Sequence, residues 1–448
     1  MKTNILYLIF ISALSCLLFS CDDFLDFKPR LELEVPENLD ELRALLSNEQ
    51  RMNEGAVIDM IASDDFYHTR DFIDSQDNPL YFNAYKRLLT PDMYGDAIQP
   101  EWTILYSQIY TANFCLQQIN NIPRTSGNAV EWDQVKGMAL FKRAYAYSEL
   151  LKIFAPILTE QTASVESIPL VLIADINTIE SFTALEKIYE QLFIDLLEAE
   201  PLLNDIPDIR TRASKSSVYA LKARVYLSIN EFEKALTEID KSLAIDDRLI
   251  DFNKLNPALN FPIGIDNEEF IYYRFSGVYG QLNSNPEARI DTLLFASYEN
   301  NDLRKTIYFF RNPAGNINFK GQFTGRSNYF VGLSVSESLL VKAECEARLG
   351  NLPGAFDALN KLLESRFLSG TFKPLKPSDF DDPLGLILQE RRKELLFRGL
   401  RWSDLKRFLG NRDEWFPLKR VLGVDTLVMQ NSKEAFVFPV PLEEFTNR

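Results

Sequence analysis

Apolar residues recur at three- and four-residue steps along much of this chain, the spacing of one face of a helix. Val218, Leu221, Val225 and Tyr226 form one such stripe. After Ile229-Asn230-Glu231 a second stripe follows, through Phe232, Ala235, Leu236, Ile239 and Leu243. The pattern then repeats: Leu339, Leu340, Ala343 and Ala347 lead to Leu349-Gly350-Asn351, and Phe356, Leu359, Leu362, Leu363 and Phe367 continue it. Gly350 suits a left-handed helix cap, and Pro353 suits the first turn of the next helix. Laid over each other, Asn230-Glu231-Phe232-Glu233-Lys234-Ala235 and Gly350-Asn351-Leu352-Pro353-Gly354-Ala355 put a small Ala at the same place. There two helices can approach closely.

Such paired helices resemble a tetratricopeptide repeat, a unit of about 34 residues that stacks on its neighbours. A third pair is expected from Met138–Phe154 and the stripe Leu185, Ile188, Leu192, Phe193 and Leu196, separated by a loop over 156–182. Trp102–Ile122 is predicted to be a further helix, as are Leu384–Phe397 and Arg401–Leu409. Trp102 and Trp132 read as packing residues of this frame. Between the helices lie irregular stretches at about 51–100, 246–334 and 410–448, rich in Asn, Gly, Pro, Phe and Tyr. Loops longer than about 15 residues are uncommon unless functional, so short strands such as Phe270–Phe275, and any ligand site, are expected there. The predicted fold is mostly α: a tetratricopeptide-repeat-like helical scaffold with long irregular loop insertions and a few short strands.

The amino end reads as an address. Lys2 precedes an uncharged run, Ile5–Phe19, shorter than the roughly 20 residues a membrane span needs. Leu18-Phe19-Ser20-Cys21 follows, then Asp22-Asp23, which resembles a bacterial lipobox with Cys21 as the acylated residue. Cys16 would place the cut inside the apolar run. Residues 1–20 are therefore expected to be a lipoprotein signal peptide, and 21–448 a single domain with insertions at about 51–100 and 246–334. The formal net charge of −16 argues against nucleic acid or anionic lipid as partners. Cys115 and Cys345 sit in apolar helical stretches without CxxC spacing, which favours two buried thiols while leaving a bridge between them open. No metal site can be assembled from these and the single His68, and no cofactor is expected.

Catalytic parts are few. Any Ser-His-Asp triad would need His68, which lies in Asp64-Asp65-Phe66-Tyr67-His68-Thr69-Arg70 and reads as an exposed loop histidine. No GxxxxGK or GxGxxG loop occurs. The 64 acidic residues offer many pairs, and a glycosidase needs two carboxylates roughly 5–10 Å apart. A surface glycoside hydrolase is thus one alternative, and a peptide-binding tetratricopeptide scaffold is another. Sugar binding uses flat aromatic rings, with carboxylates, amides and guanidinium groups bonding the hydroxyls. By that criterion the ligand-binding candidates are Asp65, Tyr67, Arg70, Tyr81 and Tyr94 in the first insertion, and Tyr279, Tyr308 and Arg311 in the second.

The stretch Glu390-Arg391-Arg392-Lys393-Glu394-Leu395-Leu396-Phe397-Arg398-Gly399-Leu400-Arg401-Trp402-Ser403-Asp404-Leu405-Lys406-Arg407 resembles a signature of the SusD/RagB family. Leu400 stands where that family often has His, and Arg398 where it often has Glu. Gly137–Tyr145, Ala220–Leu227, Phe438-Pro439-Val440-Pro441 and the start Cys21-Asp22-Asp23-Phe24-Leu25-Asp26 are similar to it as well. The resemblance implies a cell-surface, outer-membrane lipoprotein that captures glycan, without catalysis, beside a SusC-like TonB-dependent transporter. It also implies a ligand site drawn from the two insertions. The charged string at 390–394 is expected to be structural, because its residues face one another at helical spacing and can bond neighbouring helix ends.

Overall fold

The computed structural model describes residues 36–95, 99–175, 177–409, 419–422, 425–428, 436–442 and 444. Residues 1–20, expected to be a leader, Cys21, expected to carry the lipid, and much of 410–448 lie outside the described residues. Leu39–Arg448 forms one compact unit, dominated by helices. Its frame is α1 (Leu39–Leu46), α2 (Pro100–Gln118), α3 (Ala129–Phe154), α4 (Leu185–Ala199), α5 (Lys215–Ser228), α6 (Phe232–Ile245), α7 (Val335–Arg348), α8 (Leu352–Glu364), α9 (Pro383–Glu394) and α10 (Arg401–Phe408). α2 packs on α3 and α3 on α4; α5 pairs with α6 and α7 with α8, and α6 lies against α7.

Local chemistry explains the starts and stops. Ser214 and Ser217 bond each other's backbone N–H, a capping box that opens α5. Asn351 caps α8 by accepting from Gly354 N, with Pro353 in the first turn. Asn230 and Gly350, the equivalent residues between the paired helices, both take left-handed backbone, with φ of 63° and 87°. Five residues on, Ala235 and Ala355 are fully buried where the helices close. The apolar stripes point inward throughout, and Cys115 and Cys345 are free, buried thiols.

Two sequence expectations change at helix ends. Leu384–Phe397 is not one helix, because α9 stops at Glu394 and Phe397 turns left-handed at φ 55°. Residues 51–100 are less irregular than expected. They hold the short helices Ile58–Ala62, Arg70–Asp74 and Pro79–Lys86, the last two capped by Thr69 and Asn78 side chains.

The insertions are zipped to each other. Glu54–Gly55 pairs in parallel with Phe275–Ser276, and Phe66–Tyr67 pairs antiparallel with Arg289–Ile290. The expected strand from Phe270 to Phe275 is therefore split. Phe270–Tyr272 pairs instead with Leu333–Ser334, where a Cβ on Gly332 would collide with the Tyr272 carbonyl. The corresponding hydrogen-bond partner across the junction is His68, which is buried rather than exposed. Its Nδ1 donates to the Glu287 carbonyl at 2.8 Å, which leaves Nε2 to accept from the Tyr81 hydroxyl at 2.8 Å. Burial pushes its pKa down to about 4, so the ring stays neutral at physiological pH.

The signature string is structural, as its spacing suggested. Glu394, at the end of α9, accepts from Arg366 Nε at 3.0 Å and from Arg304 Nη1 at 3.3 Å, all three fully buried. Arg304 also bonds Asp302 at 2.8 Å and Glu390 at 2.6 Å, and Arg366 bonds Glu269 at 2.8 Å. Arg407 bridges Glu344 of α7 and Asp404, while Arg401 holds Asp64 of the first insertion at 2.7 Å. Removing one member of such a cluster strands a buried charge. Glu394→Ala is expected to cost about 3–5 kcal/mol, read as a lower urea midpoint.

Candidate functional site

Within the second insertion, strand Phe309–Arg311 pairs antiparallel with Ile317–Phe319 across a turn at Gly315, whose φ is 82°. The pairing sets Phe310 opposite Asn318 and Phe309 opposite Phe319. Beside this hairpin lies a cavity of about 360 Å³, within the size range of small-ligand sites. Its mouth carries exposed Leu259, Asn260, Ser284 and Phe310. Its floor is aromatic: Phe397, brought there by the turn after α9, stacks on Tyr329 at 5.0 Å and meets Phe319 at 4.9 Å.

Three polar side chains complete the wall. The Asn318 amide donates to the Pro286 and Ala288 carbonyls, both at 3.0 Å, which fixes its orientation. Its Oδ1 is buried without a protein partner. Gln322 is held the same way, its Nε2 donating to the Phe319 carbonyl at 3.5 Å and its Oε1 left unpartnered. Buried acceptors are nearly always satisfied, so two orphans at one cavity mark a place for an incoming donor. Lys320 donates to the Pro257 carbonyl, and burial pulls its ammonium below the usual lysine range. No Asp or Glu lines the cavity, so the paired acids of glycoside hydrolysis cannot be assembled there. The arrangement can stack an apolar face and accept hydrogen bonds from hydroxyls.

The sequence candidates fall elsewhere, and none of them lines this cavity. Tyr81, Tyr94, Tyr308 and Asp65 are buried. Tyr81 bonds His68, Tyr94 donates to the Pro439 carbonyl at 2.7 Å, and Tyr308 donates to Glu394 Oε1 at 3.3 Å. Asp65 accepts from Ser63 Oγ at 3.4 Å; burial and the adjacent Asp64 charge push its carboxyl up to about 6. Tyr67 is half-buried in the strand pairing of the two insertions, and Arg70 is exposed, with Asp74 at 2.6 Å. Arg311 is exposed and donates to the Gly315 carbonyl at 3.0 Å. Tyr279 is half-buried, with its hydroxyl on Glu101 Oε1 at 3.5 Å and its ring 6.0 Å from Tyr81. Tyr67, Tyr81 and Tyr279 thus join the two insertions, whereas Tyr94 and Tyr308 tie them to Pro439 and Glu394.

The residues missed had a signal. After the turn sequence Asn312-Pro313-Ala314-Gly315-Asn316, polar Asn318, Lys320 and Gln322 alternate with Phe319, Gly321 and Phe323. That is the period of a strand with two different faces.

The architecture is that of a helical frame carrying a ligand-sized aromatic cavity in an insertion. A family model described as "Starch-binding associating with outer membrane" matches residues 23–227, and one described as "SusD family" matches residues 299–441. The chain belongs to the SusD/RagB family. SusD-like protein P38 of Formosa agariphila is 25% identical over 489 residues, covering 90% of this chain and 91% of that protein. A SusD superfamily protein from Bacteroides fragilis shares the fold with a TM-score of 0.74 at 20% identity, over 92% of this chain and 98% of its own. A SusD-like carbohydrate binding protein from Bacteroides vulgatus has a TM-score of 0.68 at 18% identity, over 92% and 96%. None of the described helices is long and apolar enough to cross a membrane.

Glu101, which anchors Tyr279, gives a pH test. It also accepts from Ile58 N at 3.1 Å, while its Oε2 has no partner. Burial pushes its pKa up to about 7 from 4.5. Between those values the folded state holds a proton that the unfolded state has lost, so this group's contribution to stability falls as pH rises through that window. Glu101→Gln, which mimics the protonated form, is expected to gain stability relative to the unaltered protein from pH 5 to 8 in parallel urea titrations. Tyr81→Phe is expected to cost about 1–2 kcal/mol through the bare His68 Nε2, with no change in ligand binding.

Proposed function

We propose that this chain is a cell-surface nutrient-binding lipoprotein that takes glycan into the cavity beside the Phe309–Phe319 hairpin and passes it to a SusC-like TonB-dependent transporter. The observation that carries this reading is the pair of orphaned amide oxygens, Asn318 Oδ1 and Gln322 Oε1, set against an aromatic floor. A sugar ring presents an apolar face to the aromatic floor and hydroxyl donors to the amide oxygens. The similarity to a protein named as carbohydrate-binding supports the same ligand class.

In this reading residues 1–20 are a leader, Cys21 carries the lipid, and 21–448 is one domain. The α5/α6 and α7/α8 pairs stack in tetratricopeptide fashion and serve as a rigid mount for the insertions. Two or three acyl chains anchor stably where one does not, so the protein diffuses only in the membrane plane beside its transporter. Tight affinity between the two proteins is then unnecessary.

Purified protein run through native gels cast with different polysaccharides tests the reading. Retardation is expected in at least one gel. Phe310→Ala is expected to weaken binding about tenfold, the equivalent of about 1.4 kcal/mol of lost stacking. Unchanged mobility in every gel, or release of new reducing ends by the protein, would refute it.

A further inference from the structure

The charge of the cavity is opposite to that of the chain. The protein carries 64 acidic residues and a formal net charge of −16, yet no carboxylate lines this wall, and its one ionisable cation is Lys320. Lys320 is buried, its ammonium donates only to a neutral carbonyl, and among the described residues no carboxylate pairs with it. Arg304, Arg366 and Arg407 are buried and met by carboxylates, whereas Lys142 and Lys406, like Lys320, are buried on neutral acceptors; of these three lysines only Lys320 lines the cavity.

A second buried cation neighbours the wall in sequence. Arg398 follows the lining residue Phe397 and is buried, with its guanidinium 3.6 Å from the Phe323 ring and 5.0 Å from Phe330. Among the described residues its Nε and Nη2 have no hydrogen-bond partner. Ring faces offset part of that charge, but they supply no acceptor. Phe323 in turn follows the lining residue Gln322.

We propose that the cavity selects a sugar residue bearing an anionic substituent, a carboxylate or a sulfate ester. Its hydroxyls donate to Asn318 Oδ1 and Gln322 Oε1, and its acid group rests against Lys320 Nζ. This rests on the reading of the cavity as a glycan site and narrows its ligand. Burial without a counter-charge holds the Lys320 ammonium below its ordinary range, and an acid group in the cavity supplies that counter-charge. The negative surface does not forbid such a ligand, because repulsion between exposed charges is screened beyond about 10 Å at 0.1 M salt, whereas a contact inside the wall is not.

Titration calorimetry of the purified protein with three oligosaccharides of equal length tests this: a neutral laminari-oligosaccharide, an oligogalacturonate and a carrageenan-derived sulfated oligosaccharide. One acidic oligomer is expected to bind about tenfold more tightly than the neutral one, and which of the two does so separates carboxylate from sulfate. Lys320→Met should bring the ratio of acidic to neutral affinity down to about one, and Lys320→Arg should retain it. Equal or tighter binding of the neutral oligomer would overturn the acidic preference and leave glycan capture standing. The same preference surviving in Lys320→Met would also overturn it. If none of the three binds and every polysaccharide gel also leaves mobility unchanged, both readings fall together.

Discussion

A fully buried carboxylate keeps its charge only where cations or strong donors hold it, and Glu394 is the place where this constraint organises the fold. Stranding it in a dry interior would cost several kcal/mol, so Arg366 and Arg304 must both reach it. Those arginines come from different parts of the chain: Arg366 just past α8, Arg304 from the second insertion. Each carries further partners, Glu269 for the first, Asp302 and Glu390 for the second. Such a cluster adds little net stability over an apolar core. It penalises every arrangement that leaves one member unpaired, so it specifies where the insertion must return to the frame.

The cavity inherits its geometry from that constraint. Tyr308 donates to Glu394, which fixes the start of the strand that displays Phe310. Phe397, the floor of the cavity, lies three residues past Glu394 in the turn where α9 stops. The aromatic floor is therefore held by the frame, while Leu259, Asn260 and Ser284 at the mouth come from loops. On the far side, the Glu54–Phe275 and Phe66–Ile290 pairings and the His68 bridge tie the first insertion to the second.

How much of this the sequence carried depends on whether a period was present. The paired helices were legible because a 3.6-residue stripe needs many residues to agree, and Asn230 and Gly350 punctuate both pairs at the same place. The two-residue strands that zip the insertions were not legible, since two residues hold no period and their partners are more than two hundred positions away. The candidate tyrosines failed for another reason. A tyrosine in an aromatic loop satisfies equally well a sugar or a buried acceptor, and Tyr81, Tyr94 and Tyr308 each found an acceptor inside the protein. His68 was misjudged likewise, because its polar neighbours in sequence say nothing of the Glu287 carbonyl that receives its proton.

The two family matches leave a gap, residues 228–298, and the gap is where one wall of the cavity lies. Leu259, Asn260, Phe261, Leu282, Ser284 and Asn285 all come from it, while Asn318, Lys320, Tyr329 and Phe397 come from the matched segment 299–441. Physical constraint differs across that line. On the matched side Phe397 sits beside the ion cluster, where a substitution exposes a charge or empties a packed core. On the other side exposed residues at the mouth touch little else, so their replacement costs the fold almost nothing. A family built this way can keep one mount and change what it holds. Membership alone therefore says little about what such a cavity takes, and the chemistry of this wall, two amide oxygens without a partner among the described residues and a lysine ammonium on a neutral carbonyl, says more.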